Sequence, residues 1–181
     1  MHITLIRHLP TEWNGKNWLQ GSKNIPLAPI SFETEKGIEM NLNILQQLSP
    51  PDLVLTSELI RTQQTAELYG YAFQVEPLLN ELHFGKFEGR PKKDLLTTYG
   101  EQWLFTPREL ILGEKLVDFE KRIKTFIAKY MGLYQHLLIF GHGTWIRAFL
   151  SIIKHGSING MNQITVSNNE LISIQWPSRR G

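Results

Sequence analysis

The amino-acid sequence predicts an α/β protein in which a mostly parallel central sheet lies between two layers of helices. Three short apolar runs have the length of buried strands, at residues 2–7, 52–56 and 136–140. Segments with helical patterns follow these runs, and alternation of strands and helices is typical of parallel sheets. The 181 residues contain no linker-like stretch, so we expect one domain over residues 1–181.

The helices are predicted from periodicity and from flanking residues. Helical spacing of apolar residues marks residues 32–48 and 114–132. Another helix is expected after the second strand, in residues 57–70, with Ser57 as its N-cap. The last follows the third strand directly, in residues 143–154, and its apolar content indicates a buried helix.

Composition limits the function classes. The formal net charge is only +2 and the basic residues form no dense cluster, which argues against a nucleic-acid partner and favours a small anionic ligand. The absence of cysteine excludes thiolate nucleophiles and Cys-ligated zinc. No apolar run approaches the ~18 residues of a membrane span, so we expect a cytoplasmic protein without a membrane partner. Monomer and homodimer both fit such a sequence.

Basic and imidazole side chains follow the predicted strands where each strand ends. Arg7 and His8 close the first strand, Arg61 lies about one helical turn after the second, and His142 follows the third. Because the carboxyl ends of parallel strands meet at one edge, we expect these residues to lie together. Two arginines suit phosphate oxygens, and Gly143 leaves room for backbone N–H groups to approach an anion. A histidine with one free ring nitrogen is a suitable nucleophile toward phosphorus.

Four segments, in order along the chain, resemble the motifs of the histidine phosphatase superfamily, the phosphoglycerate mutase-like proteins. They are RHLPTEWN at 7–14, TSELIRTQQTAEL at 56–68, LNELHFGKFEGR at 79–90 and GHGTWIRAFL at 141–150. The resemblance covers nearly the whole chain. It implies the phosphoglycerate mutase-like fold, with three α/β/α layers.

The resemblance also implies a role for each matching residue. His8 is implied to be the nucleophile that becomes phosphorylated. Glu81 is implied to be the proton donor by its position in the motif, with Glu88 and His83 of the same segment as alternatives. Arg7, Arg61 and His142 are implied to hold the phosphoryl oxygens. Further contacts with phosphate or substrate are expected from Thr11, Asn14, Gln20, Gly21, Gly143 and Thr144. No metal and no cofactor are expected, because arginines and helix N-termini supply positive charge.

The function expected from these residues is that of a metal-independent phosphomonoesterase acting through a phosphohistidine. Its substrate is expected to be a small phosphorylated metabolite such as α-ribazole phosphate or a sugar phosphate. Two alternatives are a cofactor-dependent phosphoglycerate mutase and a non-catalytic phospho-ligand binding module. The mutases carry an adjacent arginine pair that binds the substrate carboxylate, and this chain has only Arg108 in the corresponding neighbourhood, although Arg90, Lys92 and Lys93 could substitute.

Two further interpretations concern residues outside the catalytic set. Among the aromatic side chains, Trp18 is the best candidate for a pocket wall, because it lies in the loop after the nucleophile, whereas Phe84 and Trp103 are expected in the core. Arg147 is interpreted as structural, paired with a carboxylate.

Overall fold

The computed structural model describes residues 1–176, and residues 177–181 of the predicted domain lie outside the described residues. One five-stranded sheet has the spatial order β3-β2-β4-β1-β5. Its strands are β1 (His2–Arg7), β2 (Leu53–Thr56), β3 (Gln74–Val75), β4 (His136–Gly141) and β5 (Leu171–Gln175). Among the strands of residues 1–176, only β5 runs antiparallel to its neighbour, so the predicted mostly parallel sheet is confirmed.

Helices cover both faces of this sheet. They are α1 (Glu12–Gly15), α2 (Phe32–Gln46), α3 (Ile60–Leu68), α4 (Lys92–Phe105), α5 (Leu116–Tyr130) and α6 (Gly143–His155). Leu137 and Ile139 of β4 belong to a core cluster with apolar residues of α5 and α6. Leu138 and Phe140 belong to a second cluster with residues of α2 and α3. Because successive strand residues point to opposite faces, these two clusters define three layers, as predicted.

The predicted helix after β2 begins later than expected. The sequence predicts Ser57 as its N-cap, but α3 begins at Ile60, and Leu59 occupies the cap position without a side-chain cap. The Ser57 hydroxyl accepts the N–H of Leu59 at 3.1 Å and also contacts His142 at 2.7 Å. A tertiary contact therefore holds the serine in the loop between β2 and α3.

Four of these elements were not predicted from the sequence, namely α1, β3, α4 and β5, and α1 is a single helical turn. β3 has only two residues, and β5 is a partly exposed edge strand whose alternation is too short to stand out. The helix α4 contains a break at Gly100, where φ is 46°, so its apolar residues follow no single helical period.

The parallel neighbours β2, β4 and β1 bring their carboxyl ends to one edge of the sheet. The backbone N–H of His8 donates to the carbonyl of Gly141 at 2.9 Å, which ties the residue after β1 to the end of β4. His8, Ser57 and His142 each follow one of these three strands. This arrangement positions the candidate site.

Candidate active site

His8 is buried, with 3% of its surface exposed, directly after β1. Its Nδ1 lies 2.7 Å from the carbonyl oxygen of Leu9. A carbonyl oxygen can only accept, so Nδ1 carries the proton and Nε2 keeps its lone pair. Burial lowers the pKa of His8 well below its usual 6.5, and the neighbouring Arg61 and Arg7 lower it further. The imidazole is therefore neutral at pH 7, with one nitrogen free to act as a nucleophile.

Two arginines flank this histidine, and Arg61 is buried while Arg7 is half-buried. Arg61 is fully buried on α3 and donates to the carbonyls of Lys23 at 2.7 Å and Gly21 at 2.8 Å. Burial lowers the pKa of Arg61 to about 10, which leaves it charged at neutral pH. Arg7 donates from Nη1 to the carbonyl of Val166 at 2.6 Å. Both arginines bind neutral carbonyls, so their charges are available to an anion.

His142 is the second histidine of the site, and its ring lies 5.4 Å from the ring of His8. Arg61 donates its Nε–H to Nδ1 of His142 at 3.2 Å, so the neutral ring carries its proton on Nε2. That proton faces the Ser57 hydroxyl oxygen at 2.7 Å. The Ser57 hydroxyl also lies 3.0 Å from the hydroxyl of Thr62. Both ring nitrogens are thus engaged by the protein, and an oxyanion contact from His142 requires one partner to release it.

Glu81 lies at the N-terminus of α6, far from it in sequence. One carboxylate oxygen accepts the N–H of Thr144 at 2.9 Å, and the other accepts the N–H groups of Trp145 and Leu82, both at 3.0 Å. An acidic group at this end of a helix is favoured by the free N–H groups and by the dipole. Two of the helix N–H groups expected to face a phosphate are therefore taken by Glu81.

The glycine after His142 lies against the Arg7 side chain. A Cβ on Gly143 would lie 3.1 Å from Nε of Arg7, which is closer than most such contacts. The missing side chain therefore makes room for the Arg7 guanidinium. Gly143 also lines the cavity next to His8, and its predicted contact with an anion stays a prediction.

A cavity of about 510 Å³ opens above these residues. The predicted site residues that line it are Arg7, His8, Asn14, Gln20, Gly21, Arg61, Glu81, Gly143 and Thr144. His142 and Thr11 do not line it. Thr11 instead caps the short helix α1, where its hydroxyl pairs with the Asn14 side chain at 3.0 Å.

Two buried polar atoms at the cavity have no hydrogen-bond partner among residues 1–176. They are Nε of Arg7 and Oε1 of Gln20. Buried polar groups in folded proteins are nearly always paired, so an unpaired donor and an unpaired acceptor in a cavity wall indicate groups that meet a ligand.

Several residues of the cavity wall were not predicted from the sequence. Arg147 lines the cavity and belongs to no ion pair within residues 1–176, so its expected pairing with a carboxylate is not found. Lys92, one of the residues that could substitute for the arginine pair of the mutases, also lines the cavity, at the start of α4. Arg147 lies four residues after Gly143 on the same helix, so helical spacing was the signal that could have found it. Trp18 lines the cavity as predicted, while Phe84 and Trp103 are buried as expected but also form part of the wall.

A comparison with known protein families shows which family this chain matches. The family described as histidine phosphatase superfamily (branch 1) matches residues 3–181. The chain belongs to the histidine phosphatase superfamily. The predicted family and phosphatase class are therefore confirmed.

Proteins similar to this histidine phosphatase are named as phosphatases or as a mutase. It is 35% identical to the adenosylcobalamin/alpha-ribazole phosphatase of Escherichia coli (strain K12), over 78% of this chain and 73% of the relative. It is similar to the solved alpha-ribazole phosphatase of Shigella flexneri, with a TM-score of 0.78, 27% identity, and coverage of 97% and 90% of the two chains. It is also similar to a solved phosphoglycerate mutase of Thermus thermophilus, with a TM-score of 0.74, 29% identity, and coverage of 99% and 95%. The predicted phosphoglycerate mutase-like fold is therefore confirmed.

Two features are absent from the part of this histidine phosphatase that the structure describes. Within residues 1–176, no group of three or more His, Cys, Asp or Glu side chains is placed to hold a metal ion. In the same part of the chain, no helix is long and apolar enough to cross a membrane.

Proposed function

We propose that this phosphatase is a metal-independent phosphomonoesterase that forms a phosphohistidine on His8. The observation that carries the proposal is the geometry of His8, a neutral imidazole whose Nδ1–H is held by the Leu9 carbonyl. Its free Nε2 is flanked by Arg7 and Arg61, which can receive phosphoryl oxygens. The unpaired Nε of Arg7 supports the same role.

The reaction has two steps. First, Nε2 of His8 attacks phosphorus, the bond from phosphorus to the leaving oxygen breaks, and Glu81 gives that oxygen a proton. Second, water attacks the phosphohistidine, Glu81 takes a proton from the water, and the phosphorus–nitrogen bond breaks to release inorganic phosphate. Charge on the transferred group is balanced by Arg7 and Arg61, so positioning and electrostatics carry the catalysis.

The proposed substrate is a small phosphorylated metabolite. A cavity of about 510 Å³ is the size of a small-molecule site. Its rim is partly apolar, formed by Trp18, Leu95 and Leu96 among others, and can contact a carbon skeleton. Relatives named alpha-ribazole phosphatase make α-ribazole phosphate one candidate, and sugar phosphates are another.

The test is phosphate release from a panel of monoesters in the presence of EDTA. The panel contains an aryl phosphate, α-ribazole phosphate, sugar phosphates and 3-phosphoglycerate, and it compares the native protein with His8→Ala. We expect EDTA-resistant release that His8→Ala abolishes. The matched control is His155→Ala, which changes an exposed histidine at the end of α6 and should retain native rates.

A second measurement tests the intermediate. After rapid quenching during turnover, the native protein should carry phosphate that is stable in alkali and labile in acid, and His8→Ala should carry none. Release that survives in His8→Ala would overturn the proposal. Isomerisation of 3-phosphoglycerate without net release would identify a mutase, and tight phosphate binding without either reaction would identify a binding module.

A further inference from the structure

Asn168 lies in the loop before β5 and lines the cavity beside His8. One end of its side-chain amide lies 2.9 Å from the carbonyl oxygen of His8, which can only accept, so this end is the nitrogen Nδ2. The same Nδ2 donates a second, longer hydrogen bond of 3.4 Å to Oδ1 of Asn14. Both N–H groups of one amide are thus directed at residues of the candidate active site.

The side-chain amide of Asn14 has a fixed orientation. Its Oδ1 accepts the backbone N–H of Thr11 at 3.0 Å, and because that group can only donate, the oxygen and nitrogen of the amide are not interchanged. The Thr11 hydroxyl donates to the same oxygen at 3.0 Å, and Asn168 is the third donor. None of the side-chain hydrogen bonds found within residues 1–176 uses Nδ2 of Asn14. Since Asn14 lines the cavity, both N–H groups of its Nδ2 remain for a ligand.

The bonds from Thr11 cannot by themselves hold Asn14 relative to the sheet. Thr11 is the N-cap of α1, so it belongs to the same short segment as Asn14 and moves with it. A helix of four residues has little stability of its own. Asn168 lies 154 positions away in the chain, and its bond to Oδ1 connects the Asn14 side chain to a different part of the fold.

The loop that carries Asn168 is attached to the end of β1. Nη1 of Arg7 donates to the carbonyl of Val166 at 2.6 Å. The backbone N–H of Asn169 donates to the carbonyl of Arg7 at 3.0 Å, and the backbone N–H of Arg7 donates to the carbonyl of Glu170 at 3.2 Å. Residues on both sides of Asn168 are therefore fixed relative to the strand that ends beside the nucleophile.

We propose that Asn168 is a positioning residue, which holds Oδ1 of Asn14 so that Nδ2 of Asn14 donates to an oxygen of the transferred phosphoryl group. The His8 carbonyl anchors the Asn168 amide, which directs its second N–H at Asn14. Asn168 acts through Asn14, because both of its N–H groups are engaged and its remaining polar atom, Oδ1, is an acceptor that does not bind a phosphoryl oxygen. This inference rests on the proposed function, which places the phosphoryl group at His8.

The test is a double-mutant cycle of Asn14→Ala, Asn168→Ala and the double variant, measured as kcat/KM for an aryl phosphate. Asn168→Ala should lower kcat/KM about tenfold in the native background, since displacement of an aligned donor is costly. In the Asn14→Ala background the same change should lower it less than about threefold, because the group that Asn168 positions is absent. Equal losses in the two backgrounds would overturn the positioning role.

Asn41→Ala is the matched control for a general loosening of the loop. The Asn41 amide donates to the carbonyl of Asn169 at 2.8 Å and to the Tyr69 hydroxyl at 2.8 Å, next to Asn168 but outside the cavity. This variant should keep kcat/KM within about twofold of the native value, and urea unfolding compares its stability with that of Asn168→Ala. If Asn41→Ala lowered kcat/KM as much as Asn168→Ala does, Asn168 would merely support the loop and the inference would be wrong.

Calorimetric binding of inorganic phosphate separates the positioning role from the proposed reaction. Asn168→Ala should weaken phosphate binding at least about threefold in the native background and leave it unchanged in the Asn14→Ala background. That pattern in a protein that hydrolyses no monoester would support the positioning role and reject the phosphatase reaction. Hydrolysis that depends on His8, together with equal effects of Asn168→Ala in both backgrounds, would reject the positioning role alone. A native protein that neither hydrolyses monoesters nor binds phosphate would overturn both proposals.

Discussion

Arg61 donates its Nε–H to Nδ1 of His142 over 3.2 Å, and the same guanidinium binds the carbonyls of Gly21 and Lys23. One buried side chain of α3 therefore connects the residue after β4 to the loop that follows α1. It also fixes the tautomer of His142, because the nitrogen that accepts from Arg61 cannot carry the proton.

Arg61→Lys tests this relationship. A lysine has one nitrogen and cannot reach two carbonyls and an imidazole in the same plane. We expect kcat/KM for an aryl phosphate to fall about 10²–10³-fold, as for the removal of a preorganised donor. The measurement is the initial rate over a range of substrate concentrations, with Arg90→Lys as the exposed control. A loss below threefold would show that the fork geometry of Arg61 is not required.

Ser57→Ala removes the acceptor of the His142 Nε2–H group. The imidazole is fully buried, so its donor would be left without a partner. The free energy of unfolding should fall by about 1–3 kcal/mol, which is the cost of one unsatisfied buried polar group. Urea denaturation measures this loss. Ser173→Ala is the matched control, because Ser173 is exposed on β5 and should change stability by less than about 0.5 kcal/mol.

Gly21→Ala should lower the free energy of unfolding more than the same substitution at a glycine that has a positive φ but open space around it. Gly21 has φ of 50°, and a Cβ there would lie 2.2 Å from the Glu88 carboxylate and 2.9 Å from the Leu82 carbonyl. Gly70 has φ of 77° with open space around it, so Gly70→Ala measures the backbone cost alone. We expect Gly21→Ala to cost about 1–3 kcal/mol more than Gly70→Ala in thermal or urea unfolding, because of overpacking. Equal losses would mean that Glu88 moves aside freely.

The pH dependence of stability should report the two buried histidines. Burial lowers the pKa values of His8 and His142 well below 6.5, and Arg61 lowers both further. Below pH ~6.5 the unfolded chain binds protons that the folded chain does not, so stability falls as the pH falls from that value toward the folded pKa. Each histidine contributes up to about 1.4 kcal/mol per pH unit in this window.

His8→Gln isolates one of these contributions. Urea unfolding of the native protein and of His8→Gln at pH 6.5 and 5.5 should show a smaller loss for the variant, by up to about 1.4 kcal/mol. Identical losses for both proteins would contradict the burial of a neutral His8.

Much of the fold could be predicted because its signals are local. β1, β2 and β4 are short apolar runs, and α5 shows its buried face in the spacing of Phe119, Ile123 and Phe126. β5 could not be predicted because the strand is defined by antiparallel pairing with β1, more than 160 positions away in the chain. The helix α4 could not be predicted for a different reason, because the break at Gly100 interrupts its helical period.

The candidate site also has some features that the sequence predicts and others that it does not. Arg7, His8 and Arg61 could be placed together because they lie at or just after the ends of parallel strands, and such ends share one edge. The contacts of Glu81 with α6 could not be predicted, because the two segments are about 60 residues apart in the chain. Nothing in the sequence of either segment indicates a contact with the other. Helical spacing places Arg147 on the same face of α6 as Gly143, but only the fold shows that this face meets the cavity.

The α/β alternation, the family and the set of residues that meet at the carboxyl edge of the sheet all follow from the amino-acid sequence. Hydrophobic periodicity and the order of the motifs are properties of neighbouring residues, so they are visible without the fold. Three features required the folded chain: Arg61 and Ser57 engage both nitrogens of His142, Glu81 caps α6, and Arg147 faces the cavity. These features depend on the directions of side chains from distant segments, which are set when the two cores pack against the sheet.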